Sequence, residues 1–117
     1  MKLYEIRDIL KAKVLSCENL MDKTVFAGGG SDLTDTILSS VAEGSLLLTG
    51  QITEQLIRTS KIAGFEGIVF VRGKLPEEKV LELARSFDIP VMVTDYSMFV
   101  ASGRLYMNGL RGLDGSW

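Results

Sequence analysis

The sequence contains no histidine and only one cysteine among its 117 residues. The absence of histidine excludes Ser-His-Asp triads, Cys-His pairs and histidine metal sites. The single cysteine, Cys17, excludes an intramolecular disulfide. We expect Cys17 to be an inert thiol, because no imidazole is present to activate it.

Long apolar runs and a surplus of charge of one sign are also missing. No apolar run approaches the roughly 18 residues that a transmembrane helix needs, and residues 1–13 lack the apolar core of a signal peptide. The formal net charge is −2, without the basic stripe that binds nucleic acid. We therefore expect a cytoplasmic protein with neither a nucleic-acid partner nor a membrane partner.

Short apolar runs, each followed by small or polar residues, recur along the chain about every 22 residues, a feasible length for a compact strand–helix–strand unit. Runs of this kind are typical of parallel strands that are buried on both faces. The predicted strands are Val25–Ala27, Leu46–Leu48, Ile68–Val71 and Val91–Val93, with a further short strand at Val14–Leu15.

Helical spacing of apolar residues occurs before the first run, between the runs and after the last. The predicted helices are Leu3–Ala12, Thr34–Val41, Ile52–Ala63, Val80–Phe87 and a short final helix from Met98 to near Gly103. Met98 and Phe99 are expected in the core. The pattern predicts an α/β fold of three layers, α/β/α, in which repeated βα units form a mostly parallel sheet of four or five strands.

The chain is the size of one domain. We assign residues 1–108 to a single α/β domain. The stretch 109–117 has glycine at 109, 112 and 115 and no periodicity, so we expect a flexible tail there.

The turns that follow the strands form the candidate ligand site, because the carboxyl ends of parallel strands lie on one edge of a sheet. Helix N-termini and cations at such an edge suit an anion. The alternative functions of these residues are helix capping and solvated turn charges. No catalytic residue, metal site or cofactor is predicted. The candidate ligand-binding residues are Gly28, Gly30, Ser31, Thr49, Gly50, Gln51, Arg72, Gly73, Thr94 and Asp95.

Three stretches together resemble the DRTGG domain family: LLLTG at Leu46–Gly50, IVFVRGK at Ile68–Lys74, and IPVMVTDYSMFVASGRLY at Ile89–Tyr106. The resemblance extends from Val25 to about Leu110. Members often carry Asp-Arg just after the Thr-Gly turn, where this chain has Gln51-Ile52. This chain therefore lacks that charged pair after the turn.

The resemblance implies an α/β domain similar to the N-terminal domain of HPr kinase/phosphorylase, regulatory rather than catalytic. Such domains accompany paired CBS domains in pyrophosphatases that respond to adenine nucleotides. We therefore expect a free-standing, non-catalytic regulatory domain that forms a homodimer and senses an adenine nucleotide or another phosphate ligand. The alternative is a protein-interaction module without a small ligand, which regulates a separately encoded enzyme or kinase.

An enzyme is the least favoured function. Its candidate groups are Asp32, Lys74, Asp95 and Tyr96. General acid–base catalysis usually needs a group that titrates near neutral pH, and the chain has no histidine.

Overall fold

The computed structural model describes residues 1–33 and 42–113. Within these residues the chain forms four α-helices, one 3-10 helix and six strands. The helices are α1 (Leu3–Leu10), α2 (Glu54–Ala63), α3 (Glu78–Ser86) and α4 (Met98–Met107), with a 3-10 helix at Glu18–Leu20. The strands are β1 (Lys13–Ser16), β2 (Ala27–Gly30), β3 (Ser45–Thr49), β4 (Phe65–Phe70), β5 (Val91–Val93) and β6 (Arg111–Gly112).

The strands form one sheet in the order β1-β5-β4-β3-β2-β6. Only the pair β1–β5 is antiparallel among the described strands. Strands β3 and β5 are buried along their whole length, which explains why their sequences are almost entirely apolar. The mostly parallel sheet confirms the predicted fold class. The described sheet has six strands, one more than the upper limit that we predicted.

Alternate side chains of the strands build two cores, because successive side chains of a strand point to opposite faces. Helices α2 and α3 cover one face, where they pack on Leu47, Ile68, Phe70, Val91 and Val93. Helices α1 and α4 cover the other face, where they pack on Leu46, Leu48, Val69 and Met92. These two helical layers confirm the predicted three-layer arrangement.

The ends of the helices follow capping rules in part. Thr53 caps α2 by accepting a hydrogen bond from the Leu56 N–H at 3.2 Å, and Gly64 ends that helix with φ of 92°. The prediction that the last helix ends near Gly103 is wrong, because α4 continues to Met107. Burial of Leu105 in the core offsets the low helix propensity of the glycine.

The glycine-rich segment corrects two further predictions. We expected a strand at Val25–Ala27 and a turn at Gly28–Gly30, but the glycines themselves form most of β2. A Cβ on Gly28 would lie 2.8 Å from Leu110 Cδ2, so the chain after α4 packs where side chains would otherwise stand.

The same chain segment forms β6, which pairs with β2. The prediction of a flexible tail from residue 109 is therefore wrong for residues 110–113. Residues 114–117 and the predicted helix Thr34–Val41 lie outside the described residues.

Candidate functional site

The carboxyl ends of β3, β4 and β5 meet at one edge of the sheet, together with the residues that follow β2. Thr49 ends β3 and Gly50 follows it, Arg72 lies two residues after β4, and Asp95 lies two residues after β5. We call Asp32, Thr49, Gly50, Arg72 and Asp95 the strand-end cluster. This is the edge at which open parallel sheets bind their ligands.

Asp32 lies at the centre of the strand-end cluster. Its Oδ1 accepts a hydrogen bond from the Gly50 N–H at 2.6 Å and another from the Thr49 hydroxyl at 3.4 Å. The Arg72 Nη2 lies 3.8 Å from Asp32 Oδ2. A backbone N–H, a hydroxyl and a guanidinium thus surround one carboxylate, and all three are groups that bind anions.

The turn after β4 brings Arg72 to this position. Arg72 and Gly73 both have positive φ, 61° and 66°. Their backbone N–H groups donate to the carbonyl oxygens of Tyr96 and Thr94, each at 2.8 Å. These bonds tie the end of β4 to the end of β5 and fix the direction of the Arg72 side chain.

Gly50 allows the guanidinium to approach the sheet. A Cβ on Gly50 would overlap Arg72 Nη2 and would lie 3.3 Å from Asp32 Oδ1. Gly73 has a similar function, because a Cβ there would lie 2.9 Å from Asp95 Oδ1. The small residues of both turns thus make space for charged side chains.

Thr94 stabilises this edge of the sheet through hydrogen bonds within the protein. Its hydroxyl is buried, donates to the Leu10 carbonyl oxygen at 2.8 Å and accepts from the Tyr96 N–H at 3.3 Å. Asp95 beside it is exposed. A small cavity of about 130 Å³ lies between these residues and the end of α1, at Leu10 and Lys11.

The remaining candidate residues differ in their positions. Gln51 is exposed beside Gly50, and its N–H donates to the Thr49 hydroxyl at 3.1 Å. The Ser31 N–H donates to the Leu48 carbonyl oxygen at 3.1 Å, so Ser31 continues the sheet pairing. Gly28 and Gly30 lie within β2, where Gly30 packs beside Met98, and the structure does not bring them into the strand-end cluster.

The ligand-binding residues predicted from the sequence do not include Asp32, which the structure places at the centre of the strand-end cluster. The pattern GGGSD held a signal, because an acidic residue directly follows a glycine-rich strand end. Its partners at residues 49, 50 and 72 depend on the pairing order of the strands, which no local pattern encodes.

A second concave surface lies between α4 and the edge strands. This apolar groove has a volume of about 430 Å³. Its floor is Gly28–Gly30, and its walls include Leu48 and Leu110. On the side of α4 the groove is lined by Phe99 and Tyr106. The groove exists because the three glycines of its floor carry no side chains to fill it.

Cys17 is a free thiol outside both surfaces. Burial raises the pKa of the Cys17 thiol, with a smaller raising effect from the charge of Asp88. A raised pKa lowers the thiolate fraction at neutral pH, which supports the expectation of an inert thiol.

Residues 1–33 and 42–113 contain no cluster of three or more acidic or cysteine side chains able to hold a metal ion. None of their helices is long and apolar enough to cross a bilayer.

The fold resembles that of a solved regulatory protein. A crystal structure of the CBS and DRTGG domains of the regulatory region of Clostridium perfringens pyrophosphatase, complexed with the activator diadenosine tetraphosphate, matches 99% of this chain with a TM-score of 0.73. Identity over the match is 21%, so this likeness shows the fold alone. The match covers 50% of the solved chain of that regulatory region, so the present chain spans about half the length of that solved chain.

The comparison with curated proteins gives no match. The family model of the DRTGG domain matches residues 5–107, which include both helical layers and strands β1 to β5. The match covers most of the chain, and the chain belongs to the DRTGG domain family.

Proposed function

We propose that this chain is a non-catalytic regulatory domain that self-associates and binds a small anionic ligand, of the adenine nucleotide class, at the strand-end cluster. Membership of the DRTGG family supports the regulatory function. The structurally similar protein is a regulatory region whose activator, diadenosine tetraphosphate, is an adenine nucleotide. That protein therefore supplies the ligand class for the proposal.

The observation that carries the proposal is the convergence of anion-binding groups on Asp32. The Gly50 N–H and the Arg72 guanidinium approach the same carboxylate from two strands. Guanidinium and backbone N–H groups bind phosphate oxygens with the same geometry as carboxylate oxygens. The Asp32 carboxylate therefore marks the position that a ligand phosphate would take after displacing it.

Arg72 supplies a positive charge where this chain lacks the charged pair of the family pattern. Gln51-Ile52 replaces the charged pair that members often carry, so the turn after β3 supplies no cation. Arg72 reaches this turn from the end of β4 and is about half exposed, as is Asp32. A cation is thus available at the edge without the usual arginine.

The test is isothermal titration of the protein with AMP, ADP, ATP, diadenosine tetraphosphate and inorganic phosphate. We expect binding of at least one adenine nucleotide, and about ten- to hundredfold weaker binding by Arg72→Ala, because a hydrogen bond to a charged group contributes roughly 1.5–3 kcal/mol. The matched control is Arg85→Ala on α3, which removes a surface arginine paired with Glu78 at 2.7 Å. Its affinity should equal that of the wild type.

Asp32→Asn separates displacement from simple contact. The amide removes the negative charge that competes with the ligand, so we expect tighter nucleotide binding than in the wild type. Weaker binding would show that Asp32 contacts the ligand directly instead of giving way to it. No heat with any of the five compounds, in the wild type or in Asp32→Asn, would refute the nucleotide site.

A protein-interaction module without a small ligand is the second candidate function. The observation that favours it is the exposure of large apolar side chains on α4, Phe99 and Met107. Affinity capture with the folded chain tests this function. A stable complex with a separately encoded enzyme, together with no nucleotide binding, would favour the interaction module over the ligand sensor.

A further inference from the structure

Helix α4 is apolar on both its inner and its outer face. Ala101 and Leu105 are buried against the sheet, whereas Phe99 and Met107 on the outer face are 87% and 86% exposed. A helix with apolar residues all round is normally covered on every side. No element among residues 1–33 and 42–113 covers the outer face of α4, so Phe99 is not the core residue that the sequence predicted.

Gly103 lies at the centre of this outer face, four residues after Phe99 and four before Met107. Residues at this spacing are neighbours on a helix surface. A Cβ on Gly103 would meet no described atom within 4 Å, so the fold of the single chain does not require glycine there. Glycine inside a helix costs stability, and it is useful where another backbone must approach closely.

The outer face also has a hollow beside it. The apolar groove between α4 and β2 runs along Phe99, Gly103 and Tyr106. Projecting side chains and a cavity that could receive such side chains therefore lie on the same patch. A surface that contains both is suited to contact with a copy of itself, since an isologous interface must be self-complementary.

We propose that the outer face of α4 is the contact between two copies of this chain, which pack their α4 helices antiparallel with Gly103 near the two-fold axis. This inference rests on the proposed self-association and names its surface. The arrangement large–small–large at residues 99, 103 and 107 is symmetric about the glycine. Antiparallel packing places Phe99 beside Met107 of the second copy, a favourable sulfur–aromatic pair.

The position of the charged residue of α4 is compatible with packing against a second copy of the helix. Arg104 is the only charged residue in Met98–Met107. Its guanidinium faces α1 and the turn after β5, where Nε donates to the Ile9 carbonyl oxygen at 3.0 Å and the group lies 4.8 Å from the centre of the Tyr96 ring. Arg104 therefore lies away from Gly103, and Arg111, which lines the adjoining groove, lies over the Tyr106 ring at 5.6 Å from its centre.

The first experiment measures molar mass by light scattering from low micromolar to near-millimolar concentration. One helix face is a small interface, so we expect a weak, concentration-dependent dimer. Gly103→Leu blocks close approach and Phe99→Asp places a charge in the contact, and each should weaken dimerisation at least about tenfold. Neither removes a core contact, and Asp suits the first turn of a helix, so circular dichroism should show folded chains.

The matched control is Ile62→Asp. Ile62 is 75% exposed on α2, which packs on the opposite face of the sheet. This variant should dimerise as the wild type does. Equal dimerisation by Gly103→Leu and the wild type would show that the surface is wrong although the chain self-associates. A monomeric wild type at every concentration would refute both the surface and the self-association.

Cysteine pairing tests the antiparallel register in a Cys17→Ser background. Phe99 and Met107 each lie four residues, about 6 Å, from Gly103 along the helix. Phe99→Cys chains mixed with Met107→Cys chains should form a disulfide-linked pair on mild oxidation. Phe99→Cys alone should not, because its two sulfur positions are separated by about 12 Å along the axes, beyond the reach of a disulfide. Preferential linking of like with like would overturn the antiparallel arrangement.

Discussion

Two glycines of this chain should respond to the same substitution, glycine to alanine, with opposite signs. Gly103 lies within α4, and a Cβ there meets no described atom within 4 Å. Gly103→Ala should therefore gain the full difference in helix propensity, about 0.8–1.0 kcal/mol in the free energy of unfolding. Gly64 has φ of 92°, and a Cβ there would lie 2.9 Å from Glu43 Cα.

Gly64→Ala should accordingly destabilise the protein. A left-handed conformation costs an alanine roughly 1–2 kcal/mol, and the close approach to the Glu43 backbone adds to that cost. For a chain of this size, 1 kcal/mol changes the melting temperature by about 4 °C. We expect an increase of about that size for Gly103→Ala and a decrease of at least that size for Gly64→Ala.

The assay is urea denaturation followed by circular dichroism, at a protein concentration low enough that self-association contributes little. The slope with urea should stay unchanged, so that the midpoints report stability alone. A destabilised Gly103→Ala would contradict the exposed helical position of Gly103. An unchanged Gly64→Ala would contradict the left-handed cap that ends α2.

Two further predictions concern the buried hydroxyl of Thr94 and the partly buried thiol of Cys17. Thr94→Val should lower the free energy of unfolding by about 1–3 kcal/mol, because it leaves the Leu10 carbonyl oxygen without its hydroxyl donor. A urea midpoint equal to that of the wild type would contradict this prediction. Cys17 should react with iodoacetamide more slowly in the folded chain than in urea at the same mildly alkaline pH, because its raised pKa lowers the thiolate fraction. Mass spectrometry of quenched samples measures both rates, and equal rates would contradict the raised pKa.

The sequence predicts the central strands and the amphipathic helices well, because those elements carry strong periodic signals. Strands β3 and β5 lie where apolar runs predict them, β4 overlaps its predicted run but begins at Phe65, and α2 ends at Ala63 as predicted. The prediction failed at Gly28–Gly30 and at Gly103, where glycine was interpreted as a turn or a stop. In both places contacts with distant residues, Leu110 and the core around Leu105, outweigh local propensity.

The sequence predicts at which edge of the sheet the candidate site lies, but it does not predict the contacts within the site. Parallel pairing brings the ends of successive βα units together, so the turns at residues 49–51 and 72–73 could be named from the sequence. The contact of Asp32 with Gly50 depends on β2 lying next to β3, and the direction of Arg72 depends on two backbone bonds to the turn after β5. Such long-range contacts have no local sequence signal.

The most direct test of the proposed regulatory site is a titration of ¹⁵N-labelled protein with ADP and diadenosine tetraphosphate, followed by backbone amide spectra. The Gly50 N–H donates to the Asp32 carboxylate, so displacement of that carboxylate by a phosphate must move the Gly50 resonance. We predict that the largest shifts occur at Gly50, Arg72 and Asp32 and reach saturation. Saturable shifts confined to another surface, or none at all, would contradict the proposal.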